Sequence, residues 1–151
     1  MQSQRKNIYR IARECAGYTR EEAAELLYIS TRSLADYETG KTIPPDDVVC
    51  RMVEVYRATW LAYEHLRQGA EVGRRYLPEV DLTDLARSVL KLQKEIADVN
   101  KINPDIVEVA CDGVIDEHEM SKWKIVQREI SEMAAAAMAV LFSQKERRAL
   151  I

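Results

Sequence analysis

Few residues of this chain have the chemistry for catalysis or metal binding, and their spacing argues against both. His65 and His118 lie far apart and stand beside no serine, cysteine or paired acids in a catalytic pattern, so no enzyme mechanism emerges. There is no phosphate-binding glycine loop. The three cysteines, Cys15, Cys50 and Cys111, are odd in number and scattered on apolar helical faces, which predicts reduced core thiols, neither a disulfide framework nor a metal site. The string Asp112-Gly-Val-Ile-Asp-Glu-His-Glu119 has the second half of a calcium loop, with Gly113 at the sharp turn and Glu119 at the bidentate position. Counting back puts Glu108 and Ala110 where oxygen ligands belong, and alanine has none. A helix stop at Gly113 followed by a cap at Asp116 accounts for the same residues without an ion, so no cofactor or metal is expected.

The residue types that do recur with purpose are helix caps. Ile8, Ile11, Ala12 and Cys15 share one helical face that Gly17 can close. Thr19 and Glu22 have capping-box spacing ahead of a second helix, about Arg20 to Leu27. Ser30 can cap a third, Thr31 to Tyr37, with Leu34 and Tyr37 turned inward and Gly40 as its stop. Thr39 to Pro45 reads as loop, and the apolar pattern resumes at Val48 and runs on through Trp60, Leu61 and Leu66 as one helix. Short capped helices joined by a four-residue turn are what reading a DNA major groove requires.

The second half has another period. After a linker expected at 71–80, Leu82, Leu85, Val89, Leu92, Ile96 and Val99 form a narrow seam on a helix of about 18 to 20 residues. Asn103 and Pro104 read as the start of a short helix that Gly113 closes, and Asp116 with Glu119 opens the last. That helix carries Met120, Trp123, Val126 or Gln127, Ile130, Ala134, Ala137 and Leu141 on one side, and the tail Lys145–Arg148 is expected to fray. Scarce glycine and proline with abundant helix formers make the fold class all-α. The expected domains are 1–70, a helix-turn-helix module, and 81–151, a helical hairpin or bundle.

Charge and hydropathy bound the partners. The chain carries 22 Lys and Arg against 25 Asp and Glu, a net charge of −3, where a nucleic-acid binder usually shows a basic footprint. Residues 1–67 hold ten basic and ten acidic side chains, so the excess acid lies in residues 68–151. A neutral module with locally placed cations can still neutralise phosphates. A polar start and no apolar run near the ~18 residues of a membrane span predict a cytoplasmic protein without a membrane partner.

The run TREEAAELLYISTRSLADYETGKTIP, Thr19 to Pro44, resembles the Cro-like (XRE) repressor family, and the likeness extends over about Asn7 to Arg67. Glu38, Gly40 and Pro44 are its most telling part; Tyr28 departs from it, standing where the family usually has a turn glycine. The resemblance implies a lambda-repressor-like domain binding double-stranded DNA in a bacterial or phage-infected cell. By the same resemblance Thr31, Arg32, Ser33 and Asp36 would meet base edges, Arg32 foremost because its guanidinium can pair with guanine. Arg20, Thr39 and Lys41 would hold phosphates. The stretch Ala110 to Glu119 resembles, more weakly, the C-terminal region of some phage regulatory proteins.

A single recognition helix binds weakly, so the C-terminal region is expected to make a homodimer, with Leu85, Val89, Leu92, Ile96, Trp123 and Ile130 at the interface. The alternative packing of these faces is within one subunit. The alternative function is a protein-interaction adaptor on a helix-turn-helix fold, its acidic region holding a protein partner.

Overall fold

The computed structural model describes residues 7–143, so the tail Lys145–Arg148 lies outside the described residues. Those residues form eight helices and no strand, and the chain divides into two compact units after Leu77. The architecture is all-α.

The first unit holds α1 (Ile8–Ala16), α2 (Arg20–Leu26), α3 (Thr31–Glu38), α4 (Asp46–Tyr56), α5 (Thr59–Gly69) and α6 (Glu71–Tyr76). Each of the first three starts on a side-chain cap. Asn7 accepts from the Tyr9 amide at 3.0 Å and donates its own amide to the Tyr37 carbonyl at 2.9 Å, which ties the start of α1 to α3. Thr19 and Glu22 bond reciprocally, the Glu22 amide to Thr19 Oγ1 at 3.2 Å and the Thr19 amide to Glu22 Oε2 at 2.8 Å. The second of these bonds holds the Glu22 carboxyl below its ordinary range. Ser30 Oγ accepts from the Ser33 amide at 3.0 Å. The caps satisfy amides that a helix cannot satisfy internally, which is why these short helices stop and start where they do.

Tyr9, Ala12, Ala23, Ala24, Leu27, Leu34, Val48, Val49, Met52, Tyr56, Ala58 and Leu61 form one buried cluster. Burying each large aliphatic side chain contributes roughly 1.5 to 3 kcal/mol. Ala23 and Ala24 are small enough for α3 to cross α2 closely, and Leu34 fills the space beneath the turn.

Two expectations for this unit fail. The helix expected to continue through Trp60 and Leu66 breaks at Arg57, φ 54, into α4 and α5. A straight helix from Asp46 to Gly69 would run about 35 Å; the break instead folds Ala58 and Leu61 back onto the core. The stretch 71–80, where a linker is expected, contains α6 ahead of the division between the units after Leu77. Gly73 is the reason: a Cβ there would lie 2.1 Å from the Leu66 carbonyl oxygen, so the glycine lets α6 press against the backbone of α5. In sequence the same glycine reads only as an interruption.

The second unit is a hairpin of α7 (Leu85–Val109) and α8 (Met120–Phe142). Asp84 caps α7 through the Arg87 amide at 3.0 Å. Asp116 and Glu119 bond reciprocally just before α8, Oδ1 accepting the Glu119 amide at 2.9 Å and Oε2 accepting the Asp116 amide at 3.2 Å. The helix expected to begin at Asn103-Pro104 does not exist separately, because α7 runs through Pro104. Proline removes one hydrogen bond, but Pro104 is exposed and the carbonyl it leaves can reach water. Ile102, Ile106 and Val109 meanwhile keep packing on.

The hairpin also shifts the seam. Its contact line on α7 is Ser88, Leu92, Glu95, Val99, Ile102, Ile106 and Val109, buried or half-buried at alternating four- and three-residue steps. Only Leu92 and Val99 of the expected seam lie in it. Leu85, Val89 and Ile96 keep 42%, 38% and 36% of their surface exposed, and Leu82 precedes the helix. On α8 the buried residues are Val126, Ala136 and Ala139, with Trp123 half-buried and Ile130 exposed. Small alanines admit the partner helix closely, so α7 turns its Ser88 face inward although a neighbouring face is more apolar.

The expectation of core thiols is wrong: Cys15, Cys50 and Cys111 are all free and exposed. Cys15 and Cys50 sit at the edge of their apolar stripes, where a small side chain is left outside the contact, and Cys111 lies in the turn after α7.

Candidate nucleic-acid interface

Helix α3 and the segments at its two ends carry all seven residues expected to meet DNA except Arg20, which opens α2. Leu34 is buried against the core, while Arg32, two positions earlier, points to the other side of α3, and Thr31, at the open first position of the helix, is exposed as well. Among the described residues Arg32 makes no hydrogen bond or ion pair, which leaves its five donors available. Ser33 is half-buried and engaged in the cap, its Oγ 2.8 Å from Ser30 Oγ. Asp36 is half-buried and paired with Lys41 Nζ at 3.2 Å. Thr39 donates its hydroxyl to the Ala35 carbonyl at 2.8 Å.

Arg20 is not a free cation. Its Nε and Nη2 donate to Glu38 Oε2 at 3.2 and 3.1 Å. The same carboxylate takes Arg13 Nε on Oε1 at 2.6 Å and Nη2 on Oε2 at 3.2 Å, while Arg13 Nη1 donates to the Tyr18 carbonyl at 2.7 Å. Glu38 and Arg13 are both buried. The hydrogen bond to Glu38 is the main influence raising the Arg13 pKa, against the opposing effect of burial. Bidentate geometry makes this a strong charge-assisted pair. It joins α1, α2 and α3, and thereby fixes how α3 is presented.

Sequence reasoning singles out Glu38 without a partner and gives Arg13 no role. The signal is present: Glu38 stands four residues after Leu34, on the inward face of α3, where a carboxylate needs a buried cation. Tyr56 lies in the same environment, its buried hydroxyl without a hydrogen-bond partner and its pKa pushed up by burial and then by Glu38.

The two histidines lie in different units. His65 is buried, with Nδ1 2.7 Å from the Tyr9 hydroxyl and Nε2 3.2 Å from Asp46 Oδ1, an arrangement that bridges α5, α1 and α4. Burial pushes the Tyr9 phenol up to about 12. His118 lies exposed in the turn before α8. In the hairpin, carboxylate oxygens of Glu95, Glu129 and Glu132 lie within 4.8 Å of one another, a spacing that could hold a hard cation. The protein supplies cations of its own there: Lys94 pairs with Glu95, and Arg128 with Glu129 and Glu132. Asp112 and Asp116 spend their Oδ1 atoms on backbone amides of the turn, as capping requires.

Among the described residues no helix is long and apolar enough to cross a membrane. Comparison with curated proteins and with solved structures gives no match for this chain. Residues 10–66 match the family model described as a helix-turn-helix domain, a match that does not extend to the hairpin. A capped α2, a four-residue turn, an α3 crossing it on alanine contacts and a family match over the same residues together make the N-terminal region of this chain a helix-turn-helix domain.

Proposed function

We propose that this chain is a sequence-specific, double-stranded DNA-binding transcriptional regulator that acts as a homodimer, with its helix-turn-helix domain reading DNA and residues 81–151 pairing two copies. The observation that carries the reading is Arg32, exposed and unpaired on the first turn of α3 while the neighbouring cations are held by carboxylates. A helix that enters the major groove by its N-terminal end presents those first-turn residues to base edges, and a bidentate guanidinium–guanine pair is worth about 1 to 3 kcal/mol of discrimination. Thr31 would accompany it, and Arg20, Thr39 and Lys41 would position the backbone, Arg20 on a guanidinium that Glu38 already orients. Ser33 and Asp36 are the weaker base-reading assignments, because both are already spent on contacts within the domain. The resemblance of Ala110–Glu119 supports placing the protein among phage-related regulators.

Dimerisation is supported by the apolar face that Leu85, Val89, Ile96 and Ile130 leave exposed on the hairpin. Two-fold symmetry would set paired α3 helices about 34 Å apart, one turn of DNA. The same face, with the acidic excess of residues 68–151, favours the adaptor as a second reading, in which the hairpin binds a different protein.

The test is selection of bound duplexes from random DNA at near-physiological salt, with wild type and Arg32→Ala side by side. The expected outcome is an enriched two-fold symmetric site whose preference relaxes at one base pair in the variant. No enrichment with a folded protein would leave the adaptor reading.

A further inference from the structure

Helix α2 closes on a six-residue turn in which the Ile29 amide donates to the Ala24 carbonyl at 3.0 Å and the Tyr28 amide to the Glu25 carbonyl at 3.1 Å. The fifth residue of this turn, Tyr28, takes φ 56. Glycine adopts this left-handed conformation without steric cost, whereas a tyrosine brings its Cβ against its own backbone. A bulky residue held there is ordinarily kept in place by packing of its side chain.

Tyr28 has no such packing. Its surface is 88% exposed, and among the described residues its side chain has no hydrogen bond or ring contact. Arg57, the other non-glycine residue with positive φ, does have an interaction of its own. Strain without an internal partner points outward. Tyr28 stands two residues before Ser30, whose hydroxyl opens α3, and four before Arg32. When a helix enters the major groove by its N-terminus, the turn that precedes it comes to the groove wall, where sugar and phosphate lie.

We propose that Tyr28 is a DNA-backbone contact: its phenol O–H donates to a phosphate oxygen and its ring covers the adjoining deoxyribose, clamping the amino end of α3. The proposal rests on the DNA-binding reading above. Tyrosine suits the task because the ring offers a large contact area with only two rotatable bonds to order. The hydroxyl is neutral, so the contact releases no counterion, in contrast to one made by Arg20 or Lys41.

The experiment compares wild type, Tyr28→Gly and Tyr28→Phe in thermal unfolding and in binding to one selected duplex over a range of salt. Tyr28→Gly should melt a few degrees higher, because strain is relieved, and yet bind roughly tenfold more weakly. Tyr28→Phe should melt like wild type and bind about threefold to tenfold more weakly, with an unchanged slope of log affinity against log salt. Unchanged affinity of Tyr28→Gly for a duplex that wild type binds would overturn the proposal while leaving the DNA reading intact, and would assign the exposed ring to a protein contact. Weaker binding together with a lower melting temperature would also overturn it, since the loss would then come through the fold. A wild type that binds no duplex would overturn both.

Discussion

In the helix-turn-helix domain Leu27, Leu34, Met52 and Leu61 are fully buried, and two of its buried charged groups, Arg13 and Glu38, bond to each other. In the hairpin Leu85, Val89, Ile96 and Ile130 remain partly exposed, while Ser88 and Glu95 occupy the line between the helices. The difference is geometric. Six helices can enclose a core on all sides, but two can bury only one stripe each, so a second apolar stripe needs another layer. The first unit encloses its core; the hairpin leaves a further apolar stripe of α7 partly exposed.

Breaking the first unit should have the largest effect. Glu38→Ala leaves Arg13 buried without its counter-charge and should cost about 3 to 5 kcal/mol. Trp60 lies in α5 and Trp123 in α8, so single-tryptophan variants can report the units separately. The expected result is early denaturant unfolding at Trp60 with Trp123 unchanged. A coincident shift of both probes would show that the units unfold together and would remove the contrast.

Next in size is the effect expected at the surface proposed above for dimerisation. Val89→Asp with Ile96→Asp should weaken dimerisation by at least about a hundredfold, since burying two unpaired charges at an interface is strongly unfavourable. Analytical ultracentrifugation would read this as a monomer at concentrations where wild type is dimeric. Far-ultraviolet circular dichroism should be retained, because neither residue lies in the seam between α7 and α8. Retained dimerisation would place the contact elsewhere.

Glu95 sharpens the comparison from the opposite direction. Its Oε2 is buried without a hydrogen-bond partner, unlike both oxygens of Glu38. Glu95→Leu should therefore stabilise the hairpin by about 1 to 3 kcal/mol, measured as a higher denaturant midpoint at Trp123. A loss of stability would mean that the carboxylate has a partner in the assembled protein.

The smallest effect is the Thr19–Glu22 cap. The Glu22 pKa is lowered on folding, so its contribution is present above the unfolded carboxylate value and disappears as pH falls through the folded one. Wild type should exceed Glu22→Gln in melting temperature at neutral pH, and the gap should close on acidification below about pH 4. A gap that persists in acid would show that the difference does not come from the ionised Glu22 carboxylate.

Local signals were legible wherever they act within one turn of helix. Thr19, Ser30 and Asp116 announce caps that the structure contains, and the small residues Ala23 and Ala24 announce the crossing of α3 over α2. Glu38 was visible as a residue of interest, but its partners are 25 and 18 positions away in sequence, so only folding brings Arg13 and Arg20 to it. Cys15 and Cys50 share the period of a core stripe and yet lie outside the contact, because the stripe is wider than the neighbouring helix can cover.

By itself the sequence determined the all-α class, the capped short helices and the turn between the second and third of them, since each rests on spacing within one or two turns; the resemblance added the position of Arg32. Tertiary structure alone decided that α4 breaks at Arg57, that Gly73 packs α6 onto α5, that α7 runs through Pro104, and which face of α7 meets α8. Each of those outcomes depends on the shape of a second helix. A helix's own sequence states how apolar each of its faces is, but not which face its neighbour can approach most closely.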